Sequence, residues 1–434
     1  MHESIWSSAL GQTSQNILDG DIKTQVAVVG GGLAGILTAH FLKQAGIDCV
    51  VLEADRVGAG ITKNSTAKIT SQHGAIYYNL TKDVSKEAAA QYYRANQQAL
   101  SVYREMCKPM ECDFLDADNY VFSRTDRESM EREAEAAQAI GAEAEFTEHT
   151  ELPFAVAGAV KFPNQAQFHV IKFLNAAVNG LTVYEHTMAK KIEDGCVYTN
   201  RGKVAADAIV VATHFPILNS KGMYFAKMYQ QRSYVLALNQ VPPLSGMYID
   251  QAQNGHSFRS YGDFLLLGGE SHRTGKQSGA YDALKRAANT LYPDAKIAYE
   301  WSTQDCMTLD KIPYIGRYSR QDDNLYVATG FNKWGMTSSM AVALLLKDLI
   351  CGKENEFATL FDPHRGMLKK QLAINLGESV KNLLTPTPRR CPHLGCALKW
   401  NPQEHSWDCP CHGSRFGEDG RIIDNPALHS AKVK

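Results

Sequence analysis

Residues 25–53 read QVAVVGGGLAGILTAHFLKQAGIDCVVLE, and their order decides the fold. The apolar run 25–29 reads as a buried parallel strand. Gly30, Gly32 and Gly35 follow in G-x-G-x-x-G register. Residues 33–46 then carry apolar side chains at helical spacing, and "CVVLE" makes a second strand ending at Glu53. Strand, glycine turn, helix, strand and acid together form the dinucleotide-binding fingerprint in the context it requires. The glycines permit the tight turn and let a pyrophosphate approach the helix N-terminus, beside Leu33 and Ala34. Glu53 is placed to accept from adenosine ribose hydroxyls and would repel a 2′-phosphate, which argues against NADP. The class is therefore α/β, built on a Rossmann-like domain.

Two later segments choose between FAD and NAD. "AADAIVVATHFP" (205–216) is an apolar strand ending in Ala212 and Thr213, a common closing strand of FAD domains. "NLYVATGFNKWGMTSSMAVALLLKDLI" (324–350) is a strand, a turn carrying Gly330 and Trp334, and a long apolar helix. That turn would aim the N–H groups of Gly335, Met336 and Thr337 at a flavin pyrimidine oxygen, with the helix dipole favouring negative charge there. The alternative for this segment is one more βα crossover of the sheet. Taken together, the segments resemble the FAD-dependent amine and amino-acid oxidoreductases of the D-amino-acid oxidase superfamily, over about residues 20–360.

A second cofactor is written at the other end. "CPHLGC" and "CPCHGSRF" set Cys391 and His393, then Cys409 and His412, as C-x-H, fifteen residues, C-x-x-H. Two thiolates and two imidazoles from two short loops suit a [2Fe–2S] centre with Cys₂ on one iron and His₂ on the other, the Rieske set. Zinc is the rival, but its fingers space their ligands differently. Both loops resemble Rieske proteins of the respiratory-complex type, and that resemblance implies a disulfide between Cys396 and Cys411. In that type a Tyr stands two residues after the Ser of "CHGS". Here Ser414 is followed by Phe416, which implies one donor fewer to the cluster and a lower potential.

The combination of "GITKNSTAKITSQHG" (60–74), "GFNKWGMT" and a C-terminal Rieske segment resembles bacterial FAD-dependent oxidoreductases with an appended Rieske domain. The resemblance puts Thr66 and Lys68 beside the flavin, where a cation would stabilise negative charge on the reduced ring. A solvated loop charge is the alternative for Lys68. His73 is a further catalytic candidate. "EWSTQDCMTLDKIPYIG" (300–316) resembles the amino-acid oxidoreductase segment W-x-G-x-R-P-x-T-x-D-x-x-P-x-I-G, but its carboxylate-clamping Arg falls on Asp305. The reversed charge disfavours an α-amino-acid carboxylate at that position and suits a cationic amine. A structural ion pair at Asp305 is the alternative. Arg232, Arg259, Glu270, His272 and Arg273 are further polar candidates, and His169 marks a helix entrance.

The expected layout is an N-terminal arm (1–20), a discontinuous FAD-binding domain (21–107, 151–222 and 300–362), and an antiparallel-sheet substrate domain (108–150 and 223–299). A linker helix (363–390) and a truncated Rieske domain (391–434) follow. Forty-four residues are too few to bury a core alone, so the cluster loops should pack on the flavoprotein body or a partner chain.

The chain of 434 residues has a formal net charge of −1 from 45 basic and 46 acidic residues. That balance makes no case for nucleic acid or an anionic membrane. No apolar run reaches spanning length and no signal peptide is visible, so the reading is cytoplasmic. The six remaining cysteines are scattered and read as core thiols. The expected activity is a dehydrogenase that takes hydride from a small amine-type substrate. Electrons would leave singly through the cluster, its histidine-bound iron facing outward, to a protein or small-carrier acceptor. The alternative is an electron-transfer flavoprotein, or a redox-sensing protein whose cluster receives electrons or is structural.

Overall fold

The computed structural model describes residues 3–11, 16–219, 221–276 and 279–433. Parts of the expected N-terminal arm, 1–2 and 12–15, lie outside the described residues, as does Lys434. Ile22–Val29 forms the central strand of a nine-stranded sheet, with Cys49–Leu52 parallel on one side and Lys203–Val211 parallel on the other. Thr182–Glu185 and Leu325–Thr329 extend the parallel set outward. These strands are apolar on both faces because helices cover one side and a second apolar cluster the other. The covering helices are Leu33–Gln44 and Gly335–Ile350, which pack against each other, and Lys86–Cys107, whose Ser85 caps its N-terminus by accepting from Ala88 N.

A second nine-stranded sheet is almost wholly antiparallel. Its order runs Lys296–Thr308, Met228–Asn239, Phe264–Arg273, Ser257–Tyr261, Met247–Asp250, Leu115–Ser123, Gly158–Gln167 and Lys68–Ile69, with Glu145–Thr147 paired to Gly158–Gln167. This corrects the layout expected from sequence. Gly158–Gln167 and most of Lys296–Thr308, assigned to the FAD domain by their neighbours in sequence, are strands of the roof. Lys296–Thr308 pairs with Met228–Asn239 along nearly its whole length, and that long ladder outweighs proximity in the chain. Residues 112–124 contain the single strand Leu115–Ser123.

The helix Lys370–Leu384 leads to a four-stranded antiparallel sheet of Lys399–Asn401, Ser406–Asp408, Arg415–Gly417 and Ile422–Asp424. Its own apolar core is small: the loop cysteines, Leu398, Phe416, Ala427, Ala431 and Val433. Polar contacts with the body supply the rest. Gln230 Nε2 donates to His412 O at 2.7 Å, Gln304 Nε2 to Gly413 O at 2.8 Å, and Asn425 Nδ2 to Phe215 O at 2.9 Å. No helix among the described residues is long and apolar enough to cross a membrane.

Candidate functional site

A cavity of about 980 Å³ runs from the glycine turn to the roof sheet, at the upper end of the range for small-molecule sites. Its floor is the fingerprint. Gly30 has φ +114°, and a Cβ there would lie 2.5 Å from Ala212 O. A Cβ on Gly35 would lie 1.9 Å from Gly30 O, so glycine alone lets the helix approach the turn. Glu53 accepts from Gly31 N at 2.6 Å and Asp55 N at 2.8 Å. Burial raises its carboxyl against those two N–H groups. Gly30, Gly32, Leu33, Ala34, Glu53, Ala212 and Thr213 line the cavity. Gly35 and Gly330 do not; a Cβ on Gly330 would meet Thr308 Cγ2 at 2.2 Å, so its role is close packing beneath the roof rather than the ligand contact expected.

The far end is built from 66–74 and the 331–337 turn. Lys68 is 8 % exposed, which removes the solvated-loop alternative. Burial, with Arg259 nearby, lowers its ammonium to about 7. Arg259, itself buried, donates Nη1 to Thr66 O at 2.6 Å and Ala67 O at 2.7 Å and so fixes the segment carrying Lys68. Thr66, Lys68, His73, Trp334, Gly335 and Met336 line the cavity. Gly335, Met336 and Thr337 open the helix Gly335–Ile350, so their N–H groups lack intrahelical acceptors. The Thr337 side chain turns away and donates to Thr70 O at 3.0 Å.

His73, expected as a catalytic candidate, has both ring nitrogens engaged. Its Nδ1 lies 2.6 Å from Tyr92 Oη, and its Nε2 lies 2.9 Å from both Thr70 O and Thr337 Oγ1. A carbonyl accepts only, so Nε2 carries the proton and Nδ1 accepts from Tyr92. Burial pushes the imidazolium down to about 3. Its ring stacks on Trp334 at 4.8 Å. His73 thus presents no free nitrogen to the cavity; it holds the Trp334 ring and the Thr337 turn.

Asp305 on the roof lies near a residue that sequence reasoning missed, Lys333 of the 331–337 turn. Burial raises the Asp305 carboxyl to about 6, opposed by Lys333 and Arg232. Burial lowers the Lys333 ammonium, opposed by Asp305. Lys333 Nζ donates to Ser271 Oγ at 2.7 Å, and both residues line the cavity. Asn332 and Lys333 take φ +51° and +76°, an uncommon conformation for non-glycine residues. Asn332 holds that turn by accepting from Thr308 N at 2.8 Å. The available signal was a lysine inside "GFNKWGMT", the segment already aimed at the flavin. No arginine lines the cavity among the described residues.

The cluster loops converge in pairs. Cys391 and Cys409 are buried with their thiols in hydrogen-bond contact, and the His393 and His412 rings lie 4.9 Å apart. Both histidine Nδ1 atoms are buried without a partner, whereas His393 Nε2 meets Asn219 Oδ1 at 2.5 Å. Burial keeps both rings neutral, near 4 and 3. Two sulfurs on one side and two unpartnered neutral nitrogens on the other fit the donor set of a [2Fe–2S] cluster. Cys396 and Cys411 form a disulfide. Cys409 lies close to that bridge, but the bonded sulfurs have no thiolate to offer a separate metal. The expected outward orientation does not hold. His412 is 3 % exposed, and the ring of Phe215 lies 6.3 Å from His393 and 6.1 Å from His412. The histidine side faces the flavoprotein body because Asn219, Phe215 and Phe225 supply its packing.

One wall separates the two centres. Along Met228–Asn239 and Lys296–Thr308, Tyr229, Gln231, Ser233, Thr303, Asp305 and Met307 face the cavity. The alternate residues Gln230, Arg232, Ser302 and Gln304 bond to the C-terminal module. Ile422, Ile423, Asp424 and Asn425 of that module also line the cavity. Arg273 donates to Pro410 O and Cys411 O, so it too serves the cluster loop, and His169 caps Val170–Ala177.

Comparison with known proteins agrees with both halves. Residues 25–349 match the family described as FAD dependent oxidoreductase, and residues 364–434 match the Rieske [2Fe-2S] domain. The chain is 33 % identical to the Rieske 2Fe-2S iron-sulfur protein YhfW of Bacillus subtilis, over 99 % of this chain and 97 % of that one. It is 24 % identical to gamma-glutamylputrescine oxidoreductase of Escherichia coli, over 78 % of this chain and 86 % of the relative. The fold resembles glycine oxidase from Geobacillus kaustophilus, with a TM-score of 0.66 and 21 % identity over 79 % of this chain and 99 % of that structure. The chain belongs to the FAD dependent oxidoreductase family and carries a C-terminal Rieske domain, an enzyme whose cofactors are FAD and a [2Fe–2S] cluster.

Proposed function

We propose that this enzyme is a dehydrogenase for a small aliphatic amine and that its electrons leave through the cluster. Bound FAD accepts hydride, and a [2Fe–2S] centre carries one electron at a time. The glycine turn and Glu53 would hold the adenosine end of the cofactor, and Lys68 with the N–H groups of Gly335 and Met336 would surround its reactive end. Asp305 would receive the substrate ammonium beneath the roof. The absence of arginine among the lining residues disfavours a carboxylate anchor of the amino-acid type. The likeness to gamma-glutamylputrescine oxidoreductase supports an amine as substrate class.

The observation that carries the relay is the segment Ala212–Phe215. Thr213 and His214 line the cavity, and the next residue, Phe215, packs on both cluster histidines. A short path, covalent from Thr213 to Phe215 and completed by ring contact with the histidines, therefore links the two sites, and the inward-turned histidines favour exchange within the chain over exchange at their own face.

The test is anaerobic addition of primary and secondary aliphatic amines, with flavin absorbance and cluster EPR followed together. Reduction of both centres is the expected result. A bleached flavin beside a fully oxidised cluster would rule out the relay, and cluster reduction by a protein donor alone would favour an electron-transfer flavoprotein.

A further inference from the structure

The helix Lys370–Leu384 is built inside out. Its buried residues are Asn375 and Asn382. Arg273 Nη1 donates to Asn375 Oδ1 at 3.0 Å, Asn375 Nδ2 donates to Ala226 O at 3.2 Å, and Glu378 pairs with Lys276. The polar face is thus fastened to the body. At 100° per residue, Leu376, Val380, Leu383 and Leu384 fall on the opposite face. They are 48 %, 55 %, 45 % and 76 % exposed, and Leu368 just before the helix is 94 % exposed. Burial of such side chains is ordinarily favourable, so an aliphatic face turned to water marks an interaction surface.

Charge identifies the occupant. Residues 366–400 hold Lys369, Lys370, Lys381, Arg389, Arg390 and Lys399 against the single acid Glu378, in a chain whose total is −1. A second copy would set these like charges against each other. An aliphatic stripe without aromatic residues, flanked by lysine, is the composition of a helix lying in a lipid interface, whereas protein hot spots favour Trp, Tyr and Arg. Arg390 Nη1 donates to Leu383 O at 3.0 Å and Gly395 O at 2.9 Å, which ties this helix to the first cluster loop and its exposed Leu394.

We propose that this face seats the enzyme on an anionic bilayer surface. The aliphatic side chains enter the boundary between headgroups and acyl chains, the lysines meet lipid phosphates, and the cluster loop is brought to the interface.

The test is cosedimentation of the full-length holoenzyme with vesicles of phosphatidylcholine, with and without phosphatidylglycerol. Pelleting is expected with the anionic vesicles and should weaken as salt is raised. The double variant Leu376→Ser, Leu383→Ser should lose at least tenfold in binding while its flavin and cluster spectra stay unchanged. The proposal is overturned if the native enzyme stays in the supernatant with anionic vesicles, or if the variant pellets equally. It is also overturned if sedimentation velocity shows a dimer that the variant dissolves without any vesicle binding.

Discussion

The two faces of the strand pair Met228–Asn239 and Lys296–Thr308 carry similar polar residues put to different uses. On the cluster face each named residue is tied down: Gln230 and Gln304 donate to backbone carbonyls of the second cluster loop, and Arg232 donates to Ser302 and Glu404, while Gln230 Oε1 and Arg232 Nε stay without partners. On the cavity face Asp305 and Lys333 of the facing 331–337 turn are close enough to shift each other, and Asp305 accepts no side-chain hydrogen bond among the described contacts. The pleat alone makes the division, since successive side chains alternate. One face acts as a fastener and the other as a binding surface, so substitutions on the two faces should fail in different ways.

The largest effect is expected on the fastening face. Arg232 and Glu404 are both buried, and Arg415 joins them through Glu404 Oε2 at 3.4 Å, Asp408 at 3.1 Å and Asp424 at 2.9 Å. Arg232→Ala leaves a buried carboxylate short of its partner, which costs about 3–5 kcal/mol. Chemical denaturation followed by cluster absorbance should show the C-terminal module lost first, with flavin binding kept. Equal loss of both centres would contradict a fastener that is separable from the binding face. Burial would raise the Glu404 carboxyl, but Arg232 and Arg415 outweigh it and hold it below the ordinary range. A depressed acid stabilises above its unfolded pKa and loses that contribution as pH falls through the folded value. The module should therefore release its hold on acidification below the usual glutamate range.

On the binding face, Asp305→Asn should lower kcat/KM for amines by about 10–100-fold, the size of a lost charged hydrogen bond of about 1.5–3 kcal/mol. Flavin and cluster spectra should be unchanged. Burial pushes the Asp305 carboxyl up to about 6, so KM for a cationic amine should fall as pH rises through about 6. That step should vanish in Asp305→Asn. A step that persists would move the counter-charge to another group.

Much of this was legible in the sequence for one physical reason: short motifs dictate local backbone. The glycine turn, Glu53 and the four cluster ligands follow from spacing within a few residues. The exchange of Arg for Asp305 was visible for the same reason. The wall was not legible, because it depends on the register of Gln231 opposite Asp305 and Ser233 opposite Thr303, pairs brought together from distant parts of the chain. The inward turn of His393 and His412 rests on Asn219 and Phe215, which no cluster motif mentions. Lys333 was hidden by its neighbours, since a turn read for its N–H groups drew no notice to its side chain. The basic surface around 366–400 disappeared into a whole-chain balance of −1.

The smallest effect sharpens the comparison within the fastened module itself. Phe416 is fully buried in the same apolar core as the loop cysteines. Ser414 Oγ accepts from Ala427 N at 3.0 Å and also lies against the Cys391 sulfur. A hydrogen bond to sulfur favours the reduced, more negative cluster. Ser414 should therefore raise the potential of the bound cluster, and Phe416 offers no donor. Phe416→Tyr adds a hydroxyl at the position where respiratory-type Rieske loops carry one. A net gain of about 1–1.4 kcal/mol from one hydrogen bond corresponds to about 40–60 mV for a one-electron couple. Redox titration followed by EPR should show that rise, and Ser414→Ala should show a fall of similar size. An unchanged potential in Phe416→Tyr would mean that the new hydroxyl bonds elsewhere in the module, and that the potential is governed by burial against the body rather than by donors to sulfur.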